Sequence, residues 1–172
     1  MFKADRLYNE IVELEQKIKK MEVDSEESLT EYFKSYTSLI FDYKQVGYIC
    51  DIYADDVTVY RENGGRLIGV HQVMQDAAAF LGTFPDLAIT FMDAFAVKRG
   101  DCYKLSRSYY LSGTNIGDSI YGPPTGKPLG GEKCIVINLA TVEIKNGRPQ
   151  IVKEYTMYST EWIRGVCTPT NA

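Results

Sequence analysis

The sequence contains very little of what metal and redox sites are made from. It has a single histidine, His71, and its four cysteines are widely separated, at Cys50, Cys102, Cys134 and Cys167. Transition-metal sites need three or four nitrogen, sulfur or oxygen ligands, often from closely spaced Cys and His. Redox motifs also depend on short Cys spacings. We therefore predict no bound metal and four reduced thiols.

The chain also lacks an excess of positive charge and any long apolar run. Its formal net charge is −4 and its pI is about 5.1, which argues against nucleic acid as a general partner. No apolar stretch approaches the ~20 residues that a membrane-spanning helix needs. The first residues are charged and contain no apolar signal-peptide core. These features predict a cytoplasmic protein with no membrane partner.

The composition that remains is typical of one globular domain. The chain has 172 residues, of which 45% are hydrophobic, and it contains 13 tyrosines. This length is enough to bury a substantial core. Tyrosine combines apolar area with a polar tip, so it suits strand packing or the wall of a pocket.

The first third of the chain has helical periodicity. Leu7, Ile11, Leu14 and Ile18 recur at spacings of three and four, which predicts an amphipathic helix from Ala4 to Met21. Further helices are predicted over Leu29–Tyr43 (capped by Ser25 or Ser28), Val46–Tyr53 and Val70–Phe80. We divide the chain into an N-terminal helical extension (1–24), a main domain (25–165) and a tail (166–172).

The rest of the chain is rich in strand patterns. Strands are predicted over Val57–Arg61, Arg66–Ile68, Ala88–Ala96, Tyr103–Ser112, Lys133–Ile144 and Ile151–Thr160. Helices followed by a run of long strands indicate an α+β fold.

A glycine- and proline-rich segment, Gly113–Gly131 (GTNIGDSIYGPPTGKPLGG), separates two of these strands and must be a long turning connection. Its Gly126-Lys127 pair is followed by Pro128 instead of Ser or Thr, so it is not a phosphate-binding loop, and we predict no nucleotide cofactor. Together with Phe84-Pro85-Asp86-Leu87 upstream and Asn146-Gly147 downstream, the segment resembles the SnoaL-like branch of the NTF2-like superfamily. The resemblance covers roughly residues 29–162. It implies a cone of curved antiparallel sheet wrapped around N-terminal helices, with a pocket at the wide end.

Strand parity identifies candidate pocket residues. In the strand from Tyr103 to Leu111 the odd positions form the apolar face, so Arg107 and Tyr109 should point inward. A buried arginine needs a carboxylate partner or an anionic ligand. In the next strand Asn138 is the polar member of an apolar row of even positions that ends at Ile144. Its amide could point into the pocket, or it could satisfy backbone groups at a bulge. Neither face of the last strand is cleanly apolar, so its inner face stays unassigned.

The base of a possible reaction is not obvious from the sequence. SnoaL-like proteins commonly carry aspartates late in the last strand, but Thr156 and Ser159 occupy those positions, and Asn115 replaces the histidine of the family's GTH motif. Our remaining candidates for a catalytic base are Glu154, Asp42 and His71. Glu154 can be the base only if its face of the strand points inward. For Asp42 and His71 the alternative is a structural role, as a helix-terminal aspartate and an exposed first-turn residue. The hydrogen-bond donor candidates are Tyr60, Tyr109, Tyr158 and Arg107, and Asn138 is a further substrate-binding candidate.

The resemblance implies a cofactor-free cyclase, dehydratase or isomerase that acts next to a carbonyl on an apolar, polyketide- or steroid-like substrate. The alternative is a non-catalytic ligand-binding or assembly module, because this fold carries many functions. We also expect a homodimer that pairs through the outer sheet face, with Ser106, Ser108 and Tyr110, and with the first helix adding contact area.

Overall fold

A computed structural model describes residues 3–169. Its α-helices are α1 (Lys3–Lys19), α2 (Glu26–Phe41), α3 (Ile49–Ile52), α4 (Val70–Thr83) and α5 (Thr160–Val166). Short 3-10 turns span Val46–Tyr48 and Gly131–Lys133. The predicted α+β class is confirmed. Residues 170–172 of the predicted tail lie outside the described part of the chain.

One curved sheet contains six strands: β1 (Tyr53–Arg61), β2 (Arg66–Ile68), β3 (Ala88–Arg99), β4 (Cys102–Ser112), β5 (Ile135–Lys145) and β6 (Arg148–Tyr158). Their spatial order is β2-β1-β6-β5-β4-β3. All neighbours are antiparallel except β1 and β6, which run parallel. The sheet is therefore mixed rather than wholly antiparallel. No hairpin joins β1 to β6, so no turn forces those two strands to reverse.

The hairpin between β5 and β6 follows directly from its sequence. Asn146 and Gly147 both adopt positive φ, at 52° and 75°. Two successive left-handed residues form the tight turn that matches the twist of antiparallel strands, and Asn-Gly is the preferred pair.

The first helix packs on its own chain. Ile18 is buried, and Ile11 and Leu14 contact the same core cluster as Leu29 and Phe33 of α2. Lys17 of α1 forms an ion pair with Glu31 of α2 at 2.6 Å. The predicted apolar stripe thus covers the helical side of the cone.

The sequence did not indicate α5. Thr160 was expected to end the last strand, but β6 stops at Tyr158, and the Ser159 hydroxyl accepts a hydrogen bond from the backbone N–H of Trp162 at 3.1 Å. This N-cap starts a short helix whose Ile163 and Val166 are buried against the long loop.

Candidate active site

A cavity of about 90 Å³ lies between the inner face of the sheet and helices α2, α3 and α4. Its polar lining consists of Thr37, Tyr53, Arg61, Asp76, Arg107, Tyr109, Asn138, Glu154, Thr156 and Tyr158. Apolar side chains such as Ile40, Val59 and Val73 make up the rest of the wall. The inward orientation predicted for Arg107, Tyr109 and Asn138 is confirmed, because all three are buried and line this cavity.

An ion pair between Arg107 and Glu154 lies in the cavity wall. Arg107 Nη2 donates to Glu154 Oε1 at 2.8 Å, and the two side chains are only 4% and 1% exposed. Arg107 Nη1 donates to the Thr37 hydroxyl at 2.9 Å. The Tyr53 hydroxyl donates to Glu154 Oε2. Of the two partners that the sequence left open for Arg107, the structure supplies the carboxylate.

These contacts fix the protonation of the groups around the pair. Burial disfavours a charged guanidinium, yet the Glu154 carboxylate raises the pKa of Arg107 above its ordinary value. Burial, reinforced by Glu154, raises the pKa of Tyr53 well above 10.0. Burial also raises the pKa of Tyr109 to about 12. Both tyrosines are therefore neutral donors at physiological pH.

A bulge turns Glu154 inward. Thr141 pairs with Lys153 while Val142 pairs with Ile151, so Val152 is an extra residue in β6. Before the bulge the odd position Ile151 is buried, and after it the even positions Glu154 and Thr156 are buried. The inner face of β6 therefore changes parity. This change is why the sequence pattern of the last strand showed no clean apolar face.

A second ion pair lies where the cavity is less enclosed. Arg61 of β1 pairs with Asp76 of α4, with side chains 15% and 30% exposed. The Arg61 guanidinium also lies 5.2 Å from the ring centre of Tyr158. Burial raises the pKa of Asp76, and Arg61 only partly opposes this effect.

We missed Arg61, Asp76 and Tyr53 in the sequence. A signal was present for Asp76, because it stands three residues after Val73 and four before Phe80, on the helix face that lines the cavity. Arg61 shares the parity of the buried Val57 and Val59.

Two predicted catalytic residues lie elsewhere. Asp42 caps the C-terminal end of α2, and its Oδ1 accepts a hydrogen bond from the backbone N–H of Ile89 at 2.8 Å. Burial raises its pKa, but it does not line the cavity. His71 is exposed in the first turn of α4. Neither residue lines this cavity, and the contacts described for them match the structural alternatives, so their catalytic roles stay predictions.

Tyr60 was also predicted to bind substrate, and it lies on the outer face of the sheet. Val57 and Val59 point inward from β1, so the even position Tyr60 points outward. There it stacks on Tyr155 with ring centres 5.0 Å apart.

The predicted pocket residue Tyr158, by contrast, lines the cavity. On β5 the even positions from Val136 to Val142 point inward as predicted. Ile144, the last residue of that predicted row, lies beyond the bulge and is 48% exposed.

Three residues stand where SnoaL-like proteins commonly carry aspartates or the histidine of the GTH motif, and they have different environments. Thr156 lines the cavity and accepts a hydrogen bond from Asn138 Nδ2 at 2.9 Å. Ser159 caps α5. Asn115 is fully buried, but it holds the Gly113–Gly131 loop together and does not line the cavity.

Within residues 3–169 no group of three or more His, Cys, Asp or Glu side chains is placed to hold a metal ion. No helix in the same range is both long and apolar enough to cross a membrane. The predicted absence of metal and nucleotide cofactors stays a prediction.

Comparison with solved structures identifies the architecture. A protein described as a SnoaL-like polyketide cyclase, from Jannaschia sp. CCS1, superposes with a TM-score of 0.58 at 13% identity, over 79% of this chain and 91% of that one. An NTF2-like superfamily protein from Salmonella enterica gives 0.61 at 11% identity, over 76% and 87%. A protein described as a polyketide cyclase, from Acidithiobacillus ferrooxidans, gives 0.56 at 14% identity, over 86% and 97%.

No family model matches the sequence, and no curated protein does either. Identities this low carry information about fold and not about activity. The resemblance to SnoaL-like proteins is thus confirmed at the level of architecture: the chain has the NTF2-like, or cystatin-like, fold that SnoaL-like proteins share.

Proposed function

We propose that this chain binds a small, largely apolar carbonyl compound in the cavity and moves a proton next to its carbonyl group. This places it among cofactor-free cyclases, dehydratases and isomerases. The observation that carries the proposal is a buried carboxylate, Glu154, in the same apolar cavity as the Tyr109 hydroxyl. Proton abstraction next to a carbonyl needs a base, a donor for the developing oxyanion, and exclusion of water.

In this proposal Glu154 accepts the proton. Arg107 and Tyr53 hold one carboxylate oxygen each, which fixes the orientation of the carboxylate. Each oxygen keeps a lone pair beyond the one already engaged. A positioned base of this kind contributes about 100-fold to 10,000-fold in rate.

Tyr109 is the proposed donor to the carbonyl oxygen. Burial raises its pKa to about 12, so its hydroxyl stays protonated and can donate a hydrogen bond. It lies two residues from Arg107 on the same face of β4, so both project into the cavity. Asp76 is a second carboxylate of the cavity, and its raised pKa makes it a candidate for returning the proton.

The cavity volume favours a compact substrate. One water molecule needs roughly 10–15 Å³ in such a cavity, whereas drug-sized ligands occupy pockets of about 300–1,000 Å³. At about 90 Å³ the cavity suits a molecule with one ring. A polyketide- or steroid-like substrate with several rings would require side chains to move.

One observation favours the alternative, a non-catalytic binding module. Both oxygens of Glu154 are already engaged by Arg107 and Tyr53. A carboxylate held in this way also serves as the structural counter-ion of a buried arginine.

Deuterium exchange at the methyl group of acetophenone, a one-ring ketone, distinguishes the two functions. A base removes one methyl proton to give the enolate, and a deuteron from D2O takes its place, which NMR measures. We expect the wild-type protein to accelerate this reaction and Glu154→Gln to lose about 100-fold or more of the rate, because an amide cannot accept the proton. Asp42→Asn and His71→Ala are matched controls away from the cavity and should retain the wild-type rate. Binding of the probe by NMR titration with no acceleration would favour the binding module.

We also propose that the protein is a homodimer in the reducing cytoplasm, where its four free thiols would be stable. Large apolar side chains are exposed on the outer sheet face, at Phe95, Ile135, Ile137, Leu139, Tyr155 and Met157. Neighbouring strands place several of them together: Ser106 of β4 pairs with Phe95 on one side and Leu139 on the other, and Leu139 pairs with Tyr155. Contiguous apolar surface of this kind is typical of an interface.

A further inference from the structure

Two buried polar atoms in the cavity wall have no hydrogen-bond partner. Among residues 3–169, Arg107 Nε and Asn138 Oδ1 are the buried side-chain nitrogen and oxygen atoms without one. Both residues are only 4% exposed, and both line the cavity. Buried polar atoms in native proteins are almost always paired, so an unpaired donor beside an unpaired acceptor points to a missing partner.

The two atoms belong to directly opposed residues. Arg107 of β4 pairs with Asn138 of β5 in an uninterrupted register. Such residues have Cβ atoms about 4.5–5.5 Å apart, and both side chains project from the same sheet face. The Nε–H and the Oδ1 nevertheless do not bond to each other.

The other side-chain nitrogens of both residues each make a hydrogen bond within the protein. Arg107 Nη1 and Nη2 donate to Thr37 and Glu154, and Asn138 Nδ2 donates to Thr156. These bonds lock both side chains in place. Arg107 Nε and Asn138 Oδ1 are the two atoms left with no partner at all, and they are available to a guest molecule.

We propose that this pair is a subsite for a hydroxyl group of the ligand. An alcohol, phenol or enol oxygen can accept from Arg107 Nε–H and donate to Asn138 Oδ1 at the same time. A ketone or ether oxygen can only accept, so it would leave Asn138 Oδ1 unpaired. The ligand is neutral here, because Glu154 already balances the charge of Arg107.

This inference rests on the proposed function and narrows its substrate class. A compound that carries both a carbonyl and a hydroxyl, or the enol of such a compound, would engage Tyr109 and the Arg107–Asn138 pair together. Hydroxy-carbonyl compounds are the substrates of dehydration and the products of aldol closure. A carbonyl compound that only isomerises needs no hydroxyl.

The test compares two probes that share one skeleton, 1-phenylethanol and acetophenone, by calorimetric or NMR titration of the wild-type protein. We expect the alcohol to bind roughly fivefold to tenfold more tightly, the effect of one additional buried hydrogen bond. Asn138→Leu should remove this preference, because it deletes the acceptor at nearly constant side-chain volume. Thr156→Val is the matched control: it removes the bond from Asn138 Nδ2 but leaves Oδ1, so the alcohol should stay preferred.

Equal affinity of the two probes for the wild-type protein would overturn the subsite and leave the proposed function standing, with an ordered water as the only partner of the two atoms. A preference for the alcohol that persists in Asn138→Leu would also overturn it. If neither probe binds, the cavity is not a binding site for compact aromatic compounds and both proposals fail.

Discussion

Arg107 and Glu154 carry opposite charges in the buried wall of the cavity, where a charge is unfavourable in free energy unless it is paired. Removing one partner of a buried ion pair leaves an unbalanced charge and costs about 3–5 kcal/mol, whereas the intact pair contributes little net stability. Arg107 and Glu154 therefore do not explain why the fold is stable. Their position in the wall of an apolar cavity suits a role toward a ligand.

Tyr109 gives a prediction about pH at the same scale. Its pKa is 10.0 in an ordinary environment and about 12 in the folded protein. Between these two values the folded state binds more protons than the unfolded state, so stability falls as pH rises from 10 to 12 and is unaffected by this group below pH 10. Two pKa units correspond to about 3 kcal/mol.

Between pH 10 and pH 12 the free energy of unfolding of the wild type should fall because of this group. In Tyr109→Phe the fall should be smaller by up to about 3 kcal/mol. Urea unfolding at a series of pH values measures the difference. Parallel curves for the two proteins would show that the Tyr109 hydroxyl titrates normally and is not buried as described.

At the scale of elements, the Gly113–Gly131 loop behaves as a structured unit. Asn115 is its centre: its Oδ1 accepts from the backbone N–H of Thr125 at 2.9 Å, and its Nδ2 donates to the carbonyl of Thr83 at 3.4 Å. The loop also packs closely on α4, since a Cβ on Gly117 would lie 1.8 Å from the carbonyl oxygen of Gly82. Asn115, which stands where the GTH motif of SnoaL-like proteins has a histidine, organises the loop in this chain.

Asn115→Ala should destabilise the protein by about 1–3 kcal/mol, because it removes the side-chain hydrogen bonds that a fully buried residue makes to Thr125 and Thr83. Hydrogen exchange should accelerate at the Thr125 amide and stay unchanged in β5. Asn63→Ala is the control, since Asn63 caps an exposed turn by accepting from the Gly65 amide, and it should change stability by no more than about 0.5 kcal/mol. Unaltered exchange at Thr125 in Asn115→Ala would refute this role.

At the scale of the whole molecule, the outer face of the sheet is exposed to solvent although it carries large apolar side chains. The inner face is covered by helices, while the outer face exposes Leu139 at 48% and Ile137 at 42% without cover from the described chain. A second copy would bury this surface.

We expect light scattering at micromolar concentration to give twice the chain mass of 19.4 kDa for the wild type. Leu139→Lys should shift the protein to the single-chain mass, because a charge in an apolar interface is left desolvated and unpaired. Ile120→Lys, at an 82% exposed position in the loop, should leave the dimer intact. A wild-type particle of 19.4 kDa would contradict the dimer.

The sequence by itself determined the features that depend on neighbouring residues. The helical stripe of α1 and the Asn146-Gly147 turn follow from local periodicity and backbone preference. The inward faces of β4 and β5 around Arg107 and Asn138 were predictable because their mutual register runs without a bulge, so alternation alone assigns each side chain.

Only the tertiary structure decided which charged groups meet. The bulge at Val152 reverses the parity of β6, and it depends on pairing with β5, not on a local pattern. The Arg61–Asp76 pair needs α4 packed against β1. The contact between Tyr53 and Glu154 joins residues 101 positions apart. Periodicity constrains the direction of a side chain within its own element, whereas strand register and helix packing set the distance between elements, and the chemistry of this cavity depends on that distance.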